Sequence, residues 1–162
     1  MSEVQALDAA AAGLNALRPG ATQLLASSLK YDKATHDAMA LLKGVERVAA
    51  LMTGMNREAE LRRDPAVRAT RLVSRWVALE HSHGTATNAG KVGIEKQLSA
   101  VAAAITRDPA VAALLRATPL AFGIQPETTL GRAVREPEVG KALAENISRH
   151  LEPPSQSRGF SR

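Results

Sequence analysis

A short sequence that places proline after an acidic residue occurs three times in the chain. Residues 63–69 read Arg-Asp-Pro-Ala-Val-Arg-Ala, residues 107–113 read Arg-Asp-Pro-Ala-Val-Ala-Ala, and Arg-Glu-Pro at 135–137 opens a looser third copy. Aspartate accepts hydrogen bonds from the first N–H groups of a helix, and proline at the first helical position loses none. The residue before proline also avoids the α region. Each copy therefore predicts that one helix ends and another begins there, with glutamate as the weaker cap.

The composition favours closely packed helices. The chain has 162 residues, enough for one domain, and alanine dominates its 45% of apolar residues. Aromatic residues make up only 2%, so the chain is poorly supplied with stacking platforms for single-stranded nucleic acid. The absence of cysteine from the sequence excludes disulfides, thiolate metal sites and cysteine nucleophiles.

Apolar periodicity in the first part of the chain predicts three helical segments. Val4, Leu7, Ala11 and Leu14 indicate a short helix over 3–17, an N-terminal arm that ends at Arg-Pro-Gly. Residues 21–29 form two further turns, and Asp32 or Thr35 caps a long helix over 33–62. One seam of that helix is predicted to be core: Leu41, Val45, Val48, Met52, Met55 and Ala59.

Five helical segments follow the first Asp-Pro. The second long helix extends to about His83 with Ala69, Leu72, Trp76 and Leu79 inward. A loop or frayed entry over 84–93 leads to the third long helix, 90–106, and residues after Pro109 continue to 118. The third long helix is predicted to be inward at Ile94, Leu98, Val101 and Ile105. An apolar break at 118–126 closes one end of the bundle or forms a partner-binding loop. A short helix at 127–134, with Leu130 and Val134 inward, and a last helix at 137–151 complete the pattern. The last helix is predicted to be inward at Val139, Leu143, Ile147 and Leu151.

Arginines are densest around the first Asp-Pro, in a chain of formal net charge +5. Arg68, Arg71 and Arg75 have the 3-4 spacing of one helix face, and Arg57, Arg62 and Arg63 lie just upstream. Two interpretations remain open. The arginines form an ordinary solvated face, or they dock an acidic partner or a phosphate backbone.

The sequence contains no recognisable catalytic pattern. His81 and His83 could suggest a metal site, but helical neighbours two apart point in different directions, and Gly84 suits a left-handed helix end. Nucleophile-elbow, zinc-protease and cofactor motifs are absent from the sequence. No signal peptide and no membrane span are expected. An interaction module without catalysis, cofactor or metal is the prediction.

Five segments carry a resemblance to a known family. In order they are Arg-Asp-Pro-Ala-Val-Arg-Ala at 63–69, Lys-Val-Gly-Ile-Glu-Lys-Gln-Leu at 91–98, Arg-Asp-Pro at 107–109, Phe-Gly-Ile-Gln-Pro at 122–126 and Leu-Gly-Arg-Ala-Val at 130–134. This succession resembles the BID domain, in particular the one at the C-terminus of TraA-type conjugative relaxases of alphaproteobacteria. The resemblance covers residues 20–152 and the tail.

The resemblance implies a fold and a function. The fold is all-α: an elongated antiparallel four-helix bundle at 21–152 with a short helical hook, after an arm or linker at 1–20 and before a disordered basic tail at 153–162. The function is a non-enzymatic translocation signal, monomeric, that binds the coupling ATPase of a type IV secretion system. A relaxase parent would leave the bacterial cytoplasm through that system and enter a recipient cell.

Partner-binding residues follow from the same resemblance and from the charge pattern. Arg158 and Arg162 match the charged tail of the family, and the basic face comprises Arg62, Arg63, Arg68, Arg71 and Arg75. Three alternatives stay open: a helical module that binds nucleic acid, a secretion signal of an effector injected into host cells, and a plain structural or oligomerisation bundle. If the chain is a translocation signal, direct nucleic-acid binding and membrane insertion are not expected.

Overall fold

The computed structural model of the protein describes residues 20–150, with side chains described as far as Ile147. All regular secondary structure in this range is helical, so the all-α prediction is confirmed. The α-helices are α1 (Ala21–Tyr31), α2 (Lys33–Leu41), α3 (Gly44–Leu61), α4 (Pro65–Thr85), α5 (Asn88–Thr106), α6 (Pro109–Ala117), α7 (Thr129–Ala133) and α8 (Val139–His150), with a 3₁₀ helix at Pro119–Phe122. They form two compact units that divide between Asp64 and Pro65.

The first unit packs α1 and α2 against α3. Side-chain bonds show that α1 is antiparallel to α3: Ser28 Oγ donates to the carbonyl of Gly54 at 3.0 Å, while the start of α1 lies near Arg62. A Cβ on Gly54 would lie 1.9 Å from Thr35 Oγ1, so glycine lets α2 and α3 approach closely.

The prediction of one continuous helix over 33–62 is wrong, because the chain breaks after Leu41. Asp32 caps α2 as expected, accepting from the N–H of Ala34 at 3.2 Å. Leu42 and Lys43 are extended, and Gly44 has a φ of 61°, a left-handed value that glycine adopts without strain. Arg47 Nε donates to the carbonyl of Leu42 at 2.6 Å and thereby stabilises the corner.

The predicted apolar seam of this segment is also wrong for most of its members. Val45 is 85% exposed and Met52 is 46% exposed, whereas Met55 is 5% exposed and belongs to the core of the unit. The buried side of α3 consists instead of Arg47, Leu51, Gly54, Met55 and Glu58. Two of these residues are charged, so apolar periodicity alone misidentified the inward face.

The second unit has a continuous apolar core to which all of its α-helices contribute. Its fully buried large side chains are Trp76 on α4, Leu98 and Ile105 on α5, Leu115 on α6 and Leu143 on α8. The inward faces predicted for the helices at 65–83, 90–106 and 137–151 are therefore confirmed. Helix α5 packs against both α4 and α8, and α6 turns from α5 by 94° at the second Asp-Pro.

Three details of the second unit differ from the sequence prediction. Gly84 does not end a helix in the left-handed region, since α4 continues to Thr85. The loop predicted over 84–93 is confined to Ala86 and Thr87, because the Thr87 hydroxyl accepts from Gly90 and caps α5. Helix α8 begins at Val139, two residues later than predicted, with the Glu138 carbonyl accepting from Ala142.

The apolar break at 118–126 is only partly inward. Ile124 is buried and Phe122 packs against the core, but Leu120 is exposed on the 3₁₀ helix. The predicted short helix follows as α7, where Leu130 and the adjoining Val134 are buried as expected.

Some predictions fall on residues that the structure does not describe. They are the helix over 3–17, the tail at 153–162, and the inward position of Leu151. Within residues 20–150 no single helix is long and apolar enough to cross a membrane. Helices α5 and α6 meet the length and composition criteria only as a pair bent by 94°.

Candidate partner-binding surface

The five arginines of the predicted basic face fall on both sides of the division between the units. Arg62 and Arg63 follow α3 in the first unit, and Arg68, Arg71 and Arg75 lie on α4 in the second. Each group is therefore described within its own unit. The tail residues Arg158 and Arg162 lie outside the described part of the chain.

Arg62 binds within the first unit. Its Nε donates to Glu58 Oε2 at 3.1 Å, and its Nη2 donates to the hydroxyl of Ser27. The Glu58 side chain is only 1% exposed. A buried carboxylate is costly without a cationic partner, so the bond to Glu58 stabilises the end of α3. The bond to Ser27 ties the same end to α1. Arg62 thus has a structural role within the first unit, and a partner would have to compete with these bonds.

Arg63 has a different environment from its neighbour. Its side chain is 77% exposed, and its guanidinium lies 3.3 Å from the exposed carboxylate of Glu60. Exposed pairs of this kind contribute about 0–1 kcal/mol, since water and salt screen them. The Arg63 guanidinium is therefore the more exposed of these two neighbouring arginines.

Arg68 joins two copies of the repeated sequence. Its guanidinium donates twice to Asp108, from Nε at 2.7 Å and from Nη2 at 3.2 Å. Asp108 also accepts from the N–H of Val111 at 3.3 Å and so caps α6 as the sequence predicts. The bond with Arg68 holds the pKa of the Asp108 carboxyl below its ordinary value. The repeat is thus a tertiary contact as well as a helix start.

Replacing Asp108 with alanine is expected to lower the free energy of unfolding by about 0.5–2 kcal/mol, the usual cost of losing a helix cap. Asp108→Asn keeps a cap but loses the charge. Because the pKa is lowered on folding, the contribution of the charge is present above about pH 4 and disappears as the pH falls through the folded value. In urea unfolding, the wild type should have a higher free energy of unfolding than Asp108→Asn, and this difference should shrink from pH 7 to about pH 3. An unchanged difference would contradict this.

Arg71 and Arg75 occupy the remaining positions of the predicted face. Arg75 is exposed, and its Nη2 lies 3.3 Å from the amide oxygen of Gln97 on α5. Arg71 is half-buried. The arginines of the face therefore differ in how strongly they are bound within the unit. Arg68 makes two charged bonds to Asp108, whereas Arg75 bonds to the neutral side chain of Gln97.

A further arginine of the dense basic segment serves the fold of the first unit. Arg57 lies 2.8 Å from Asp32 Oδ2 and ties α3 to the corner between α1 and α2. Partial burial alone would raise the pKa of Asp32, but the bonds from Thr35 and Arg57 outweigh it and lower the pKa. No local pattern in the sequence predicts this pairing, because the two residues are 25 positions apart.

The two histidines of the 81–83 segment have separate environments. His83 is buried and its Nε2 lies 2.8 Å from Glu95 Oε2 on α5, whereas His81 is exposed. The pair His83–Glu95 thus joins α4 to α5. In the described part of the chain, no group of three or more histidine, aspartate or glutamate side chains could hold a metal ion.

Glu80 on α4 is a partly buried carboxyl whose pKa is raised above its ordinary value. Its partial burial raises its pKa, and the neighbouring polar groups of Trp76 and Thr129, together with the charge of Arg132, act in the opposite direction. These contacts run from α4 to α7. Glu80 thus brings a partly buried carboxyl of α4 close to side chains of α7.

Comparison of the chain with protein-family models, with curated proteins and with solved structures finds no match. The chemistry of the described surface is therefore the basis for its interpretation. That surface presents guanidinium groups that differ in exposure. A carboxylate or an amide of the same unit bonds to each of Arg62, Arg63, Arg68 and Arg75.

Proposed function

We propose that this chain is a non-catalytic translocation signal, which directs its parent protein to a type IV secretion system by binding the coupling ATPase. The observation that supports this proposal is the succession of five motifs between residues 63 and 134, which follows the order seen in BID domains. The parent would be a conjugative relaxase, which passes from the bacterial cytoplasm into a recipient cell.

The proposal includes a finer arrangement of the helices. The family's elongated antiparallel four-helix bundle with a short hook is the arrangement expected for residues 21–152, followed by a disordered basic tail. The all-helical content of residues 20–150 is compatible with such a bundle. The helix starts at Pro65 and Pro109 account for two of the motifs in physical terms.

Docking on the ATPase is assigned to the tail and to the more exposed arginines. Arg158 and Arg162 supply charge in the tail, while Arg63 and Arg75 supply it on the helical surface. An acidic surface on the partner would attract these groups over about 10 Å at physiological salt. Arg62 and Arg68 contribute positive potential but are held by carboxylates of their own units.

A pull-down on the purified cytosolic part of a cognate coupling ATPase tests the proposed interaction. The full chain should bind, and the double variant Arg158→Ala/Arg162→Ala should bind roughly tenfold more weakly, because two exposed charge contacts are lost. Arg158→Lys/Arg162→Lys is the matched control and should retain most of the binding. Equal binding by all three chains would show that the tail arginines do not contribute to binding of the ATPase.

Duplex DNA serves as the competing ligand in the same assay. A helical module that binds nucleic acid would retain a short duplex at low salt and lose it steeply as salt rises. We expect the ATPase, and not the duplex, to be bound at physiological salt. Binding to the duplex alone would replace the proposed function.

A further inference from the structure

An exposed apolar row runs along α3. It consists of Val45, Val48 and Met52, which the 3-4 spacing places on one side of the helix and which are all exposed. The row borders Met55, which is buried against α1. Exposed apolar side chains grouped in this way indicate a surface that binds another element.

The spacing of the row is repeated in the segment that precedes the described chain. Val4, Leu7, Ala11 and Leu14 have the same 3-4-3 spacing as Val45, Val48, Met52 and Met55, each 41 positions earlier. Two helices that share this spacing can pair along a seam, with each apolar residue opposite its counterpart. Ala11 would face Met52, so a small side chain meets a large one.

The position of Gly20 allows this pairing. Gly20 has a φ of 85° at the start of α1, and the adjoining turn of α1 lies at the end of α3, where Arg62 Nη2 reaches the carbonyl of Gln23 at 3.5 Å. A helix that turns back at Arg18-Pro19-Gly20 would be antiparallel to α1. It would therefore be parallel to α3, because α1 and α3 are antiparallel.

The lengths also agree. A helix over the 15 residues 3–17 would be about 22 Å long, and α3, with 18 residues, is about 27 Å long. The exposed side of α3 also lines an open groove of about 540 Å³ formed by Thr53, Asn56, Arg57, Glu60 and Leu61. A second helix laid along the row would lie beside this groove.

We propose that the apolar row of α3 is the docking site for residues 3–17 of the same chain. The segment binds as a helix parallel to α3, with Val4 opposite Val45, Leu7 opposite Val48 and Ala11 opposite Met52. The arm thereby covers the apolar surface that the first unit otherwise exposes to water. This inference is independent of the proposed secretion function.

Disulfide cross-linking in the full chain tests the register, because the natural sequence contains no cysteine. The pair Ala11→Cys/Met52→Cys should close an intramolecular disulfide under mild oxidation at low protein concentration. The matched control Ala10→Cys/Met52→Cys turns the first thiol by about 100° around the helix and should react at least about tenfold more slowly. Intact mass and gel mobility distinguish an internal link from a linked dimer.

Each outcome decides the proposal. Faster internal closure by the position-11 pair supports it. Equal rates for both pairs would overturn it, and preferential formation of linked dimers would assign the row to a second copy of the chain. A circular dichroism spectrum of each variant confirms that the helices are retained.

Thiol labelling provides a second readout that does not require closure of a disulfide. The single variant Met52→Cys should react slowly with a thiol reagent in the full chain. Adding Leu7→Asp and Leu14→Asp should release the arm and raise the labelling rate about tenfold, which corresponds to loss of protection at that site. An unchanged rate would contradict docking of residues 3–17.

Discussion

Replacing Gly140 with alanine is expected to lower the free energy of unfolding of the second unit by about 3 kcal/mol, the upper part of the range for overpacking. Glycine to alanine inside a helix ordinarily raises stability by about 0.5–1 kcal/mol, so the expected sign is reversed. The reason is the approach of α8 to α5. A Cβ at position 140 would lie 2.6 Å from the carbonyl oxygen of Ala102 and 2.9 Å from the backbone nitrogen of Thr106.

The neighbouring atoms in this contact are mainly backbone, so they cannot move aside as a flexible side chain could. Gly93 on α5 is the matched control, because a Cβ there meets no atom within 4 Å. Gly93→Ala should raise stability by about 0.5–1 kcal/mol. Chemical unfolding of the two variants measures both effects. A gain in stability for Gly140→Ala would contradict the close packing of α5 on α8.

Replacing Arg62 with alanine is expected to lower the free energy of unfolding of the first unit by about 2 kcal/mol or more, because the buried Glu58 carboxylate loses the charged bond from Arg62. The adjacent variant Arg63→Ala should change stability by less than about 0.5 kcal/mol, because its pair with Glu60 is exposed. The two residues have the same side chain and differ in what they contact.

The same pair of variants separates structural from docking roles. In urea unfolding, only Arg62→Ala should shift the midpoint. In the ATPase pull-down, Arg63→Ala should weaken binding without a loss of stability. Equal unfolding midpoints for both variants would show that the bond from Arg62 to Glu58 contributes little to the fold.

Most of the second unit could be predicted from the sequence. Its helices follow apolar periodicity, and the buried Ala69, Trp76 and Leu98 lie on the faces that this periodicity predicts. Asp108 caps its helix because cap formation depends on a few neighbouring residues. Local signals suffice where the inward face is apolar.

The first unit could not be predicted to the same degree, for a physical reason. Its main helix buries Arg47 and Glu58, and their burial depends on bonds to the carbonyl of Leu42 and to Arg62. Such bonds make a charged face suitable for the interior. A search for apolar periodicity selects Val45 and Met52 instead, and these side chains are exposed.

The predicted basic face also depends on tertiary bonds that the sequence pattern does not reveal. The sequence indicates arginines on one face but gives no information about their acidic partners. Asp108 lies 40 residues from Arg68, and only the fold brings the two groups within 2.7 Å. For docking, the consequence is a smaller set of surface arginines, of which Arg63 and Arg75 are the best candidates.

Transfer of a reporter between cells tests the proposed secretion signal most directly. The reporter is fused before residue 1, so that the tail remains free, and is expressed in donor cells with a cognate conjugative secretion system. We expect reporter activity in recipient cells at a level similar to that of an established signal, and its loss when the coupling ATPase is absent. Intact fusion protein in the donor without transfer, in cells where the established signal is transferred, would contradict the proposed function.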